Sequence, residues 1–121
     1  MTERDLRTAE ATMLRPRVRI GETITLDPGK IDLLKHVEST RSISAAARAL
    51  GMSYKHAWLL IDSLNQGFGR PVVTTATGGK GGGGAALTEL GRQLVEHYGA
   101  IEARLNVNAQ TELQALRRLA G

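Results

Sequence analysis

The sequence predicts a mainly α domain with small β elements, and three observations carry that prediction. Apolar residues recur at spacings of three and four in the longer segments, the period of a buried helix face. Asp27, Ser44, Ser53 and Thr88 each stand where a side chain caps a helix N-terminus. What lies between is a pair of short alternating stretches and one glycine run, too little for a large sheet.

The elements follow in order. Residues 1–16 hold no strong pattern and are read as a flexible N-terminal arm. Val18, Ile20, Ile24 and Leu26 alternate with polar residues around Gly21-Glu22, which reads as a hairpin. Asp27 caps a first helix opened by Pro28, a residue that suits the first turn because its missing N–H is not needed there. Ile31, Leu33, Leu34 and Val37 form its apolar face, and it ends near Ser39. Ser44 is expected to cap a short second helix, Ala45 to Leu50, stopped by Gly51. Ser53 caps a third, running to about Gln66 and stopped by Gly67 and Gly69. Pro71 precedes a strand over Val72–Thr75, and Ala85–Leu87 is its return. Thr88 caps a long last helix with apolar positions Leu90, Leu94, Tyr98, Ile101 and Leu105, continued by Ala109, Leu113, Leu116 and Ala120. Asn106, Val107 and Asn108 are weak helix formers, so a kink or break is expected there. Helix, helix–turn–helix, strand, loop, strand is the order of a winged helix-turn-helix, preceded here by a hairpin and followed by a long helix. The expected organisation is an arm over 1–16, a winged helix-turn-helix domain over 17–88 and a C-terminal dimerisation helix over 89–121.

Composition narrows the function. The 121 residues hold no cysteine, which excludes disulfides, thiolate catalysis and cysteine-ligated zinc. No apolar run is long enough to span a membrane, and the N-terminus lacks the pattern of a signal peptide. A cytoplasmic protein with no membrane partner is expected. Net charge is +4, and its position matters more than its size. Residues 1–40 and 93–121 are each balanced. Residues 41–92 carry Arg41, Arg48, Lys55, Arg70, Lys80 and Arg92 against only Asp62 and Glu89, so the whole excess lies there. A concentrated positive field suits a polyanion such as double-stranded DNA, because each neutralised phosphate releases condensed counterions.

Between Ser42 and Leu64, two short helices meet at Gly51 with no room for a long loop. Small residues (Ala46, Ala47) face the junction, and Leu50, Met52, Ala57, Leu60, Ile61 and Leu64 face the core, as a tight helix-turn-helix requires. The third helix opens with Ser53, Tyr54, Lys55 and His56, all hydrogen-bonding residues, and Trp58 follows. A helix entering the major groove uses its first turns in this way. With Ser42 and Ser44 on the preceding helix, these are the candidate DNA contacts. Three readings compete for the glycine run from Thr77 to Gly84: a nucleotide-binding loop, a linker, or a wing. Gly79-x-Gly81-x-x-Gly84 lacks the hydroxyl residue after Lys80 and the helix that a phosphate loop needs. A wing would expose the backbone at Thr77, Gly79, Gly81 and Gly82 to phosphate, with Lys80 adding charge. His36, His56 and His97 form no metal spacing and no catalytic elbow exists, so no enzyme activity, cofactor or metal is expected. The seam Leu94, Tyr98, Ile101, Leu105 is the expected dimer interface.

These motifs resemble a known family. Ser42-Ile43-Ser44, Ser53-Tyr54-Lys55-x-Ala57-Trp58, Asn65-Gln66 and the run Ala76-Thr77-Gly78-Gly79-Lys80-Gly81-Gly82-Gly83-Gly84-Ala85-x-Leu87-Thr88 look like the N-terminal domain of ModE-type molybdate-responsive transcription regulators. Ile31-x-Leu33-Leu34-Lys35-His36 is similar too, and the likeness covers roughly residues 17–105. More distantly, the helix-turn-helix resembles that of LysR-type regulators. The resemblance implies a homodimer on an inverted-repeat operator, with the third helix in the major groove, the glycine loop as a wing and dimer contacts from the last helix. It points to control of molybdate transport or molybdenum-enzyme genes. The oxyanion-binding domains of such regulators are expected to be absent from these 121 residues. Two other roles remain open: the DNA-binding piece of a split regulator with a separate molybdate-sensing protein, and an interaction module pairing with a full-length relative.

Overall fold

The computed structural model describes residues 13–76 and 84–121. Their order is β1 (Val18–Ile20), β2 (Ile24–Leu26), α1 (Pro28–Thr40), α2 (Ile43–Ala49), α3 (Tyr54–Phe68), β3 (Val73–Thr75), β4 (Ala85–Leu87), α4 (Glu89–Asn108) and α5 (Gln110–Leu119). Mainly helical, with two small antiparallel hairpins, this is the winged helix-turn-helix order.

Local chemistry explains most element ends. β1 and β2 pair in the register Ile20↔Ile24, so both branched side chains share one end of the hairpin. The Asp27 carboxylate accepts from the Lys30 N–H at 3.0 Å and caps α1, with Pro28 in the first turn. α1 buries Ile31, Leu33, Leu34 and Val37 almost completely and is the centre of the core. Ala46 and Ala47 of α2, Ala57, Ile61 and Leu64 of α3, and Leu90, Leu94 and Tyr98 of α4 close around it.

Three boundaries differ from the sequence reading. The cap of α2 is Ser42, whose hydroxyl accepts from the Ala45 N–H at 3.0 Å. Ser44 is therefore a helical, exposed residue, and Ile43 joins the helix and the core. α3 runs through Gly67 to Phe68 and ends at Gly69, whose left-handed backbone (φ 71°) lets its N–H reach the Asn65 carbonyl. Gly67 stays helical because it serves a contact: a Cβ there would lie 2.8 Å from Cγ1 of Ile24. α4 is continuous through Asn106 and Val107, and the break falls at Ala109.

Of the stretch read as an arm, residues 1–12 lie outside the described residues, but residues 13–16 are fastened to the body. Asn106 of α4 pairs with the backbone of Leu14, accepting from its N–H at 2.7 Å and donating to its carbonyl at 2.9 Å. The Tyr98 hydroxyl donates to the Pro16 carbonyl at 2.8 Å. Arg15 bridges Asp32 of α1 at 2.7 Å and Glu102 of α4 at 3.5 Å.

Candidate nucleic-acid interface

α2 and α3 meet through Leu50, Gly51 and Met52, with Gly51 in the left-handed conformation (φ 67°). The Met52 N–H returns to the Ala47 carbonyl at 3.0 Å, closing the turn. The Ser53 hydroxyl accepts from the His56 N–H at 3.0 Å and caps α3, so this hydroxyl is engaged by its own helix. Burial of Ala57, Ile61 and Leu64 fixes the rotation of α3 and turns Ser53, Tyr54, Lys55 and His56 to the surface. Trp58 is half-buried against the core, and its ring meets that of Tyr54 edge-on with centroids 6.4 Å apart. That contact draws Tyr54 to one side of the helix. It borders a shallow cleft of about 230 Å³, shared with Ser42, Ser44, Thr75 and Gly84.

The second part of the surface is the β3–β4 hairpin. Its strands pair Val73↔Leu87, Thr74↔Ala86 and Thr75↔Ala85, and the Ala76 N–H extends the ladder to the Gly84 carbonyl at 2.9 Å. The glycine run is thus spanned by paired strands, with a strand and not a helix after it. A phosphate loop opening a helix does not fit this arrangement. Thr77, Gly79, Lys80, Gly81 and Gly82 themselves lie outside the described residues.

Side-chain and backbone bonds lock the hairpin root to the helix-turn-helix. The Ala85 N–H donates to the Arg41 carbonyl at 2.9 Å, in the turn that opens α2. Arg41 takes a left-handed backbone there (φ 58°), uncommon for a residue with a Cβ. On the other side, the Asn65 side chain of α3 accepts from the Val72 N–H at 2.8 Å. Thr88 donates to the Pro71 carbonyl at 2.8 Å while accepting from the Gly91 N–H at 3.1 Å. The hairpin is thus bonded to the α1–α2 turn and to the C-terminal part of α3, while Tyr54 at the start of α3 shares a cleft with Thr75 and Gly84, and Arg41, Arg48 and Lys55 are exposed. Asn65 and Arg41 are the positioning residues that sequence reasoning left without a role. Asn65 appeared only within a motif, and a left-handed arginine has no sequence signature.

The expected pairing seam on α4 divides. Leu94 and Tyr98 are 8% and 1% exposed and belong to the chain's own core, whereas Ile101 and Leu105 are 40% and 38% exposed. The reason is that the core takes up Leu90, Leu94 and Tyr98, while further along α4 the 13–16 segment meets Tyr98, Glu102 and Asn106 and leaves the side carrying Ile101 and Leu105 uncovered. Among the described residues, no three His, Asp or Glu side chains gather as a metal site. Among the described residues, no helix is long and apolar enough to cross a membrane.

Comparison with known proteins agrees with this geometry. A molybdenum-pterin-binding protein, MopB of Rhodobacter capsulatus, is 53% identical over 74 residues, 61% of this chain and 27% of that protein. The DNA-binding transcriptional dual regulator ModE of Escherichia coli K12 is 44% identical over 81 residues, 67% of this chain and 31% of the relative. This chain thus spans under a third of the length of either. Among solved structures, the DNA-binding domain of CbnR in a DNA complex shares the fold, with a TM-score of 0.58 at 18% identity over 75% of this chain and 98% of that one. Residues 29–92, which take in α1 from its second residue, the helix-turn-helix, the β3–β4 hairpin and the start of α4, match the profile of bacterial regulatory helix-turn-helix proteins, and the chain belongs to their lysR family.

Proposed function

We propose that this chain is a sequence-specific DNA-binding transcription regulator that binds an inverted repeat as a homodimer and acts on molybdate transport or molybdenum-enzyme genes. The observation that carries the reading is the shared cleft of Tyr54, at the exposed start of α3, with Thr75 and Gly84 of the β3–β4 hairpin, a hairpin held by Arg41 and Asn65, in the segment that holds the chain's entire excess of positive charge. The likeness to MopB and ModE supports the class of genes. In this reading α3 lies in the major groove, and Lys55 with its neighbours reaches bases or phosphates. The 77–83 loop follows the backbone, with Lys80 on phosphate. Two copies joined through the exposed part of α4 read the two half-sites.

Genome-wide DNA capture with and without molybdate tests the reading. Enrichment of promoters of molybdate-transport or molybdenum-enzyme genes, sharing an inverted repeat, is expected; a flat profile overturns it. Titration of a selected duplex should lose about 10³- to 10⁵-fold in affinity between 50 mM and 200 mM salt for roughly six to ten phosphate contacts. Lys80→Ala should weaken cognate and random DNA alike and flatten the salt slope by about one per subunit. A second reading places the response to molybdate outside these 121 residues, and the match to under a third of each relative favours it. Operator affinity of this chain that is the same with and without molybdate would support that second reading.

A further inference from the structure

We propose that Leu59 reads the 5-methyl group of a thymine in the major groove, an inference that rests on the DNA-binding reading above. Ala57 and Ile61 are fully buried and Leu64 is 1% exposed, so the rotation of α3 is set by the core. At about 100° per residue, Lys55, Leu59 and Asp62 fall within an arc of roughly 60° on the opposite side of the helix. All three are exposed.

Leu59 stands out within that arc. It is 57% exposed, and it lies outside the core cluster against which its chain neighbours Trp58 and Leu60 both pack. A single exposed leucine on an ordinary surface asks for no explanation. This one is placed one helical turn beyond Lys55, on the face that enters the groove. Its Cα lies about 9 Å along the axis from the Ser53 cap, within the reach of a helix docked by its N-terminal end. A leucine has no donor or acceptor, so the hydrogen-bonding edges of the bases offer it nothing. The one apolar group that base pairs present in the major groove is the thymine methyl. Lys55 and Asp62 on the same line suit the opposite chemistry: a cation meets guanine O6 and N7, and a carboxylate accepts from cytosine N4. The line therefore carries one apolar reader between two polar ones.

The test isolates one methyl group. Binding sites are first selected from a random duplex pool with the 121-residue protein. Each thymine of the selected site is then replaced singly by uracil, which removes only the methyl, and affinities are measured for the wild type and Leu59→Ala. One thymine per half-site should show a loss of about three- to tenfold in the wild type on methyl removal, the scale of one buried methyl group. Leu59→Ala should bind the thymine and uracil duplexes equally and keep the thermal midpoint and solution mass of the wild type. Uracil substitutions that cost both proteins alike overturn the inference and leave the DNA-binding reading intact. A change in solution mass for Leu59→Ala also overturns it, by making Leu59 a protein contact. A pool from which the wild type selects nothing overturns both.

Discussion

Gly91 and Gly99 lie on the same helix, and alanine at each should act in opposite directions. A Cβ on Gly91 would stand 2.3 Å from the Val72 carbonyl oxygen, which accepts from Thr88 and is not free to move. Gly91→Ala should cost about 1–3 kcal/mol through overpacking against backbone. Around Gly99 a Cβ meets nothing within 4 Å, and helix interiors favour alanine, so Gly99→Ala should gain about 0.5–1 kcal/mol. Urea unfolding of the two variants checks both signs. The same scale separates Ser42 from Ser44. Ser42→Ala should lose about 1 kcal/mol of stability as a lost N-cap, and Ser44→Ala almost none. Both serines were legible as cap-type residues. Choosing between them needed the position of Ile43, which is buried in a helix that starts two residues earlier than a Ser44 cap allows.

At the scale of elements, the 13–17 segment acts as a strap across α4. The phenol of Tyr98 lies above its ordinary value of 10.0, chiefly because burial disfavours the phenolate, with the charge of Glu102 adding to the shift. A proton held more tightly in the folded state gives stability that is complete below the unfolded value near 10 and is lost as pH rises through the folded value. Unfolding free energy should therefore fall on the alkaline side of pH 10. Tyr98→Phe should remove that part of the fall while costing about 1 kcal/mol at neutral pH for the lost bond to Pro16. Asn106→Ala should release the strap at a cost of about 1–2 kcal/mol and speed hydrogen exchange at the Leu14 amide. The Arg15 ion pairs, partly exposed, should add little. None of this was visible in sequence: the partners Leu14 and Asn106 are 92 residues apart, and the asparagine read as a weak helix former.

For the whole molecule, uncovered apolar surface gathers at one end. Ile101, Leu105 and Val107 of α4 are exposed, and α5 buries no residue, leaving Leu116 and Leu119 60% and 84% exposed. A cleft of about 600 Å³ lies between α4 and α5, bordered by Met13, Ala103 and Leu113. If two copies pair there, light scattering should give about twice the 13.0 kDa chain mass. Ile101→Asp with Leu105→Asp should yield folded monomers with weakened operator binding, since half-sites are read in pairs. A charge at Leu94 should instead unfold the chain, because that side chain lies in its own core. A wild type that stays monomeric at tens of micromolar would remove the pairing.

What the sequence determined by itself is local: helix periods, the caps at Asp27, Ser53 and Thr88, the two hairpins and the concentration of charge in 41–92. Each depends on residues within a few positions of one another, and so each is written in a short stretch of chain. Tertiary structure decided which half of the α4 stripe is covered, which serine caps α2, that Gly67 is a contact and not a stop, and that Arg41 and Asn65 hold the hairpin root. It also left Leu59 bare while its neighbours were buried. These outcomes depend on what packs against a residue from far along the chain, and periodicity cannot state which of two equally apolar positions will find a partner.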